Sequence, residues 1–200
     1  YKLKKALIED IFVEVNLKLI LENLNQNINN PISGTWNKKK ILKPSIETTM
    51  HAILPQKYIF HIHCLNCLSW LIRNDFEKEF INIFKDYKYC TIKYLKPGLP
   101  ITREIEKIKK NFIPDIIFLA NHGVVIAGNQ LSELLDLLYA VSKKLNQSFN
   151  FKYDLSPKIF NNFSTVGEFR PIRYKKAHSL AYSPQNIKIL TSGSLYPDQV

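Results

Sequence analysis

An α/β domain, with helices layered on a central sheet, is the fold class this sequence predicts. Three observations predict it. Strand-like and helix-like segments alternate along the chain. The run DIIFLANHG, 115–123, is apolar until it ends in Asn-His-Gly, as a buried strand does when it delivers polar residues at its tip. NQLSELLDLLYAVSKKLNQSF, 129–149, has apolar residues at i, i+3, i+4 and i+7, the stripe of a long amphipathic helix. The 200 residues, 46% of them hydrophobic with 10 Tyr and 12 Phe, supply the core of one domain spanning 1–200.

The elements follow in order. EDIFVEVNL, 9–17, alternates like a short strand, and LKLILENLNQ, 17–26, reads as a helix. NQNINNPISGTWNKKK, 25–40, is polar with Pro31 and Gly34, a loop. PSIETTMHAIL, 44–54, opens a helix, with Ser45 placed as N-cap and Glu47 in the first turn, where the dipole favours a carboxylate. YIFHIHC, 58–64, is β-rich. LSWLIR, 68–73, and FEKEFINIFKDY, 76–87, read as helices, and CTIKYL, 90–95, as a strand ended by KPGLP. TREIEKIKKNF, 102–112, is a helix with Thr102 as its expected N-cap. VVIAG, 124–128, continues the sheet, and after Phe151 only short apolar runs between turns remain.

No apolar run reaches the ~20 residues of a membrane span, and YKLKKALIEDIF lacks the apolar core of a signal peptide. The formal charge of +11 comes from scattered lysines in a Lys-, Asn- and Ile-rich chain. Its densest clusters, NKKK and EKIKK, have little aromatic interleaving, so nucleic acid is not an expected partner. Attraction of an anionic small substrate fits the same charge. Three cysteines without framework spacing predict a reducing, cytoplasmic setting.

Residues i and i+2 of a strand share a face, so His61 and His63 point together, either as two ligands of one ion or as two ordinary histidines near a strand end. His122, ending another strand and followed by Gly123, which lets the chain turn tightly, is the natural third ligand. Glu47 starts the helix that leads into the HxH strand. It is either an acid/base facing the same cleft or a carboxylate that only complements the helix dipole. His51, one turn on, either orients Glu47 or is a satisfied helix histidine. Cys64 and Cys67 form a lone CxxC. A redox pair or soft metal ligands are conceivable, but small buried hydrophobes is the reading adopted.

Taken together, PSIETTMHAILPQKYIFHIHCLNCLSW, KPGLPITREI and FLANHGVVIAGNQLSELLDLL resemble the class II aldolase/adducin family, in particular its fuculose-phosphate-aldolase-like members. The resemblance runs from about EDIFVEV to SLYPDQV, and three ordered motifs are far more specific than one. It implies a three-layer α/β/α domain with a mostly antiparallel or mixed sheet. It implies one zinc, or another divalent ion, per chain on His61, His63 and His122, with Glu47 as the catalytic carboxylate. The implied reaction is cleavage or formation of a C–C bond in a sugar or sugar phosphate through a metal-stabilised enediolate. Ser45, Asn121 and Gly123 fall at substrate-binding positions. A homotetramer is implied as well.

Ser45 matches one serine of the family's phosphate-binding pair, whereas Ile46 stands at the other. The chain opens where the family is already under way and ends at Val200 as if within a strand, so the domain is expected to be incomplete at both ends. Other functions consistent with the resemblance are an epimerase or dehydratase, or a non-catalytic adducin-like interaction module. Retention of the three histidines and Glu47 argues against the last.

Overall fold

The computed structural model describes residues 11–37, 42–147 and 184–192. Among the described residues four strands, β1 (Tyr58–Ile62), β2 (Tyr89–Ile92), β3 (Ile116–Leu119) and β4 (Gly123–Gly128), form one sheet of order β1-β4-β3-β2. β1–β4 and β4–β3 are antiparallel and β3–β2 is parallel, a mixed sheet. The helices are α1 (Leu17–Asn25), α2 (Thr48–Ile53), α3 (Leu65–Leu71), α4 (Phe76–Ile83), α5 (Leu99–Lys109) and α6 (Leu131–Gln147), followed by α7 (Pro184–Thr191).

Side chains alternate across the sheet, and the two faces bury different helices. Ile116, Phe118, Val124 and Ile126 pack with Trp70, Phe80, Phe84, Leu134 and Val141, which places α3, α4 and α6 on one face. Ile117, Leu119, Val125 and Ala127 pack with Ile20, Leu24, Met50, Ile53, Ile101 and Ile105, which places α1, α2 and α5 on the other. The expected three layers are therefore present. The central strands β3 and β4 are buried on both faces, which is why their sequences read as continuous apolar runs. Among the described residues β1 and β2 are the edges of the sheet, half-buried except at Ile92.

Three local expectations are corrected. Among residues 11–16 there is no strand, only an isolated bridge between Val15 and Trp36. The Asn16 side chain accepts from Leu19 N, capping α1 and ending the extended segment there. The second helix is shorter than its sequence suggests, because Ser45 and Glu47 are spent on a turn before it: Ser45 Oγ accepts from Glu47 N at 3.2 Å, and Glu47 occupies the N-cap position. Thr102 is no cap either. α5 starts at Leu99 after Gly98, whose φ of 96° suits glycine, and Thr102 lies one turn inside it. Expectations for the C-terminal region, apart from α7, fall outside the described residues.

Thr102 has another use. Its hydroxyl is fully buried and lies 2.7 Å from Thr49 Oγ, pinning α5 to α2 just behind Glu47. Thr102→Val keeps the shape but removes the partner of a buried hydroxyl. It is expected to lower unfolding free energy by about 1–3 kcal/mol in urea melts.

Candidate metal centre

β1 and β3 run in the same direction, since each is antiparallel to β4. Their carboxyl ends therefore lie on one side of the sheet, and the site forms there. His61 is on β1 opposite Val125. It shares the face of Ile59, which packs with the α2 cluster, whereas Tyr58, Phe60 and Ile62 pack toward the other cluster. The strand thus turns His61 toward the start of α2, where Glu47 sits. His63 follows one residue beyond the strand end and is exposed.

His122 arrives from the three-residue turn 120–122 that joins β3 to β4. The turn is made by Asn121, whose φ is 54°; asparagine tolerates this left-handed region better than most residues. Asn121 N donates to Leu71 O, and His122 N donates to Leu119 O, which fix the tip. His122 is 2% exposed.

Gly123 was expected to let the chain turn tightly. Its φ is not positive, and what it supplies is space. A Cβ there would lie 2.7 Å from Ile62 O and 2.8 Å from the His63 ring. Gly123→Ala must displace either the β1 backbone or His63. The expected result is a loss of about 1–3 kcal/mol in stability together with weaker metal retention, checked by thermal melts and metal titration.

The four side chains converge. His61 Nε2 lies 2.9 Å from His63 Nε2 and 3.2 Å from His122 Nε2. The Glu47 carboxylate stands 3.4 Å from His61 Nε2 and 3.1 Å from His122 Nε2. One ligand atom from each of the four lies within 4.8 Å of the others. Burial pushes the Glu47 carboxyl up, but hydrogen bonds from the His122 and His61 rings, with their charge when protonated, outweigh it and hold the group well below the usual carboxylate range. Cys64 and Cys67 are not in this group.

The donor set fits a divalent ion. His61 Nδ1 is 3.3 Å from the Val124 carbonyl, which can only accept, so Nδ1 carries a proton; the neutral ring then turns its Nε2 lone pair to the centre, and the protonated ring donates Nε2–H to Glu47 instead. Three nitrogens around a tetrahedral zinc would stand roughly 3.3 Å apart, given Zn–N distances near 2.0–2.1 Å. The His61–His122 separation is close to that. Lone pairs and a carboxylate crowded this closely need a cation, or protons, among them.

The profile of the Class II Aldolase and Adducin N-terminal domain matches residues 12–148, more than half of the chain. The chain belongs to the class II aldolase and adducin family. The N-terminal class II aldolase domain of a conserved protein from Thermoplasma acidophilum shares the fold, with a TM-score of 0.58 at 21% identity over 68% of this chain and 65% of that one. An uncharacterized oxidoreductase of Bacillus subtilis (strain 168), YuxG, is 25% identical over 109 residues, 54% of this chain. The match spans only 16% of YuxG, so the oxidoreductase label stays with that protein.

His51, also singled out in the sequence, lies in α2 with its ring centroid 6.4 Å from that of His61, edge-on. Burial, and then the proximity of His61, lower its pKa. It is not one of the four converging groups. The pinning of α2 by Thr49 and Thr102 was not foreseen from the sequence, where buried threonines carry no pattern of their own.

Proposed function

We propose that the chain is a metal-dependent lyase that breaks or forms a C–C bond next to a carbonyl in a sugar or sugar phosphate. The observation that carries this reading is the convergence of three imidazoles with a carboxylate supplied by a different element. His61, His63 and His122 would hold the ion, zinc being the proposed one. A divalent ion there supplies Lewis acidity toward a carbonyl and its neighbouring hydroxyl.

The chain's own residues do the rest. Glu47, kept ionised, accepts the proton of the substrate hydroxyl beside the breaking bond and returns it to carbon on the departing fragment. The Ser45 turn fixes the Glu47 backbone and the Thr49–Thr102 pair fixes the helix that follows, so the segment carrying the carboxylate needs little reorganisation when substrate arrives. Substrate contacts at Ser45, Asn121 and Gly123 belong to the proposal, each lying within two residues of Glu47 or His122. So does self-association, which family membership supports.

Ile46, 65% exposed between Ser45 and Glu47, gives the rim no donor side chain for a phosphate. The test is a screen of phosphorylated and free sugars on zinc-loaded protein, with chromatographic detection of fragments. Cleavage into two carbonyl-containing products supports the reading. Inversion at one carbon, or loss of water, without fragments would replace it with the epimerase or dehydratase chemistry.

A further inference from the structure

Cys64 and Cys67 sit beside the metal centre without joining it, and their geometry suits a different chemistry. Cys64 is the N-cap residue of α3, and Cys67 lies in its first turn. Cys67 N donates to Cys64 O at 3.0 Å, which closes that turn. Residues three apart in such a turn have Cα atoms about 5 Å apart, inside the roughly 4.4–6.8 Å that disulfides span, so closing the bond asks little of the backbone. Exposure divides the roles: Cys64 is half-buried, and Cys67 is fully buried against Trp70 and Leu71.

We propose that Cys64 and Cys67 are a redox-active dithiol, oxidised reversibly to an intrachain disulfide by low-molecular-weight disulfides. The Cys64 sulfur, as thiolate, attacks one sulfur of the small disulfide. A mixed disulfide forms at Cys64, the S–S bond of the oxidant breaks, and one small thiol leaves with the proton. Cys67 then gives up its proton and attacks the Cys64 sulfur, and the second small thiol leaves. Two electrons pass from the protein to the small disulfide, which becomes two thiols. The pair is one peptide bond from His63 and does not depend on the lyase reading.

The experiment exposes the full, folded chain to buffers of oxidised and reduced glutathione, then alkylates it under denaturing conditions and maps the peptides by mass spectrometry. In excess oxidised glutathione, Cys64 and Cys67 together should escape alkylation as one disulfide, and dithiothreitol should restore both. Cys90 is the internal control. Burial pushes its thiol up to about 12, so it should remain free. In Cys67→Ala the reaction should stop at a stable glutathione adduct on Cys64, and in Cys64→Ser the buried Cys67 should take up none. Two free thiols in the most oxidising buffer, or a glutathione adduct on native Cys64 that never resolves, overturns the proposal. If Cys67→Ala does not fold, the native chain alone decides between these results.

Discussion

His122→Ala, and likewise His61→Ala, lose divalent metal. The expected drop in affinity exceeds a hundredfold, since even the outer partners that merely orient a metal-bound histidine are worth 10–100-fold. Each substitution removes one of the three nitrogens that meet at 2.9–3.2 Å. His122→Ala also opens a small cavity at a 2% exposed position, so a circular dichroism spectrum should accompany the titration. Competition titration with a chromophoric chelator measures the effect. Affinity unchanged in a folded His122→Ala protein would remove that histidine from the ligand set.

Glu47→Gln separates holding the ion from moving the proton. The amide fills the same space beside His61 and His122 but cannot take a proton. Metal retention should survive, because the three imidazoles remain. Turnover should fall by roughly 10²–10⁴, the usual worth of a positioned acid or base. The fall should appear in kcat more than in KM, as for an interaction made in the transition state. Normal turnover in a metal-loaded Glu47→Gln protein would sink the proton role assigned here.

Most of the frame was legible because it rests on periodicity. DIIFLANHG and VVIAG became β3 and β4, buried on both faces, and the long amphipathic pattern became α6. The pairing of His61 with His63 followed from strand geometry, although His63 stands just past the strand end. What could not be read is what depends on contacts distant in sequence. EDIFVEVNL alternates well, yet over its described residues the pairing is a single bridge from Val15 to Trp36, too little for a strand. Thr102 has the composition of a cap, but Gly98 starts the helix a turn earlier, and the freed hydroxyl meets Thr49 across 53 positions. Gly123 was expected at a turn. Its need for empty space against Ile62 and His63 is a property of two strands in register, which no local pattern encodes.

The site was legible as residue types and as a family pattern, and the geometry adds what neither shows. His61 faces the start of α2 because it shares the Ile59 side of β1. Glu47 faces back because the Ser45 turn and the threonine pair set the angle of α2. The CxxC was read as packing, and for Cys67 that holds. The turn that brings the two cysteines together is visible only once α3 is seen to begin at the first of them.

The central claim is a three-histidine metal centre, and metal stoichiometry tests it most directly. Elemental mass spectrometry of the purified chain and of His63→Ala, both resupplied with zinc and desalted, is the measurement. The account predicts about one zinc per native chain and loss of it in the variant. A folded native chain that retains no zinc, or a variant that retains as much, would contradict it.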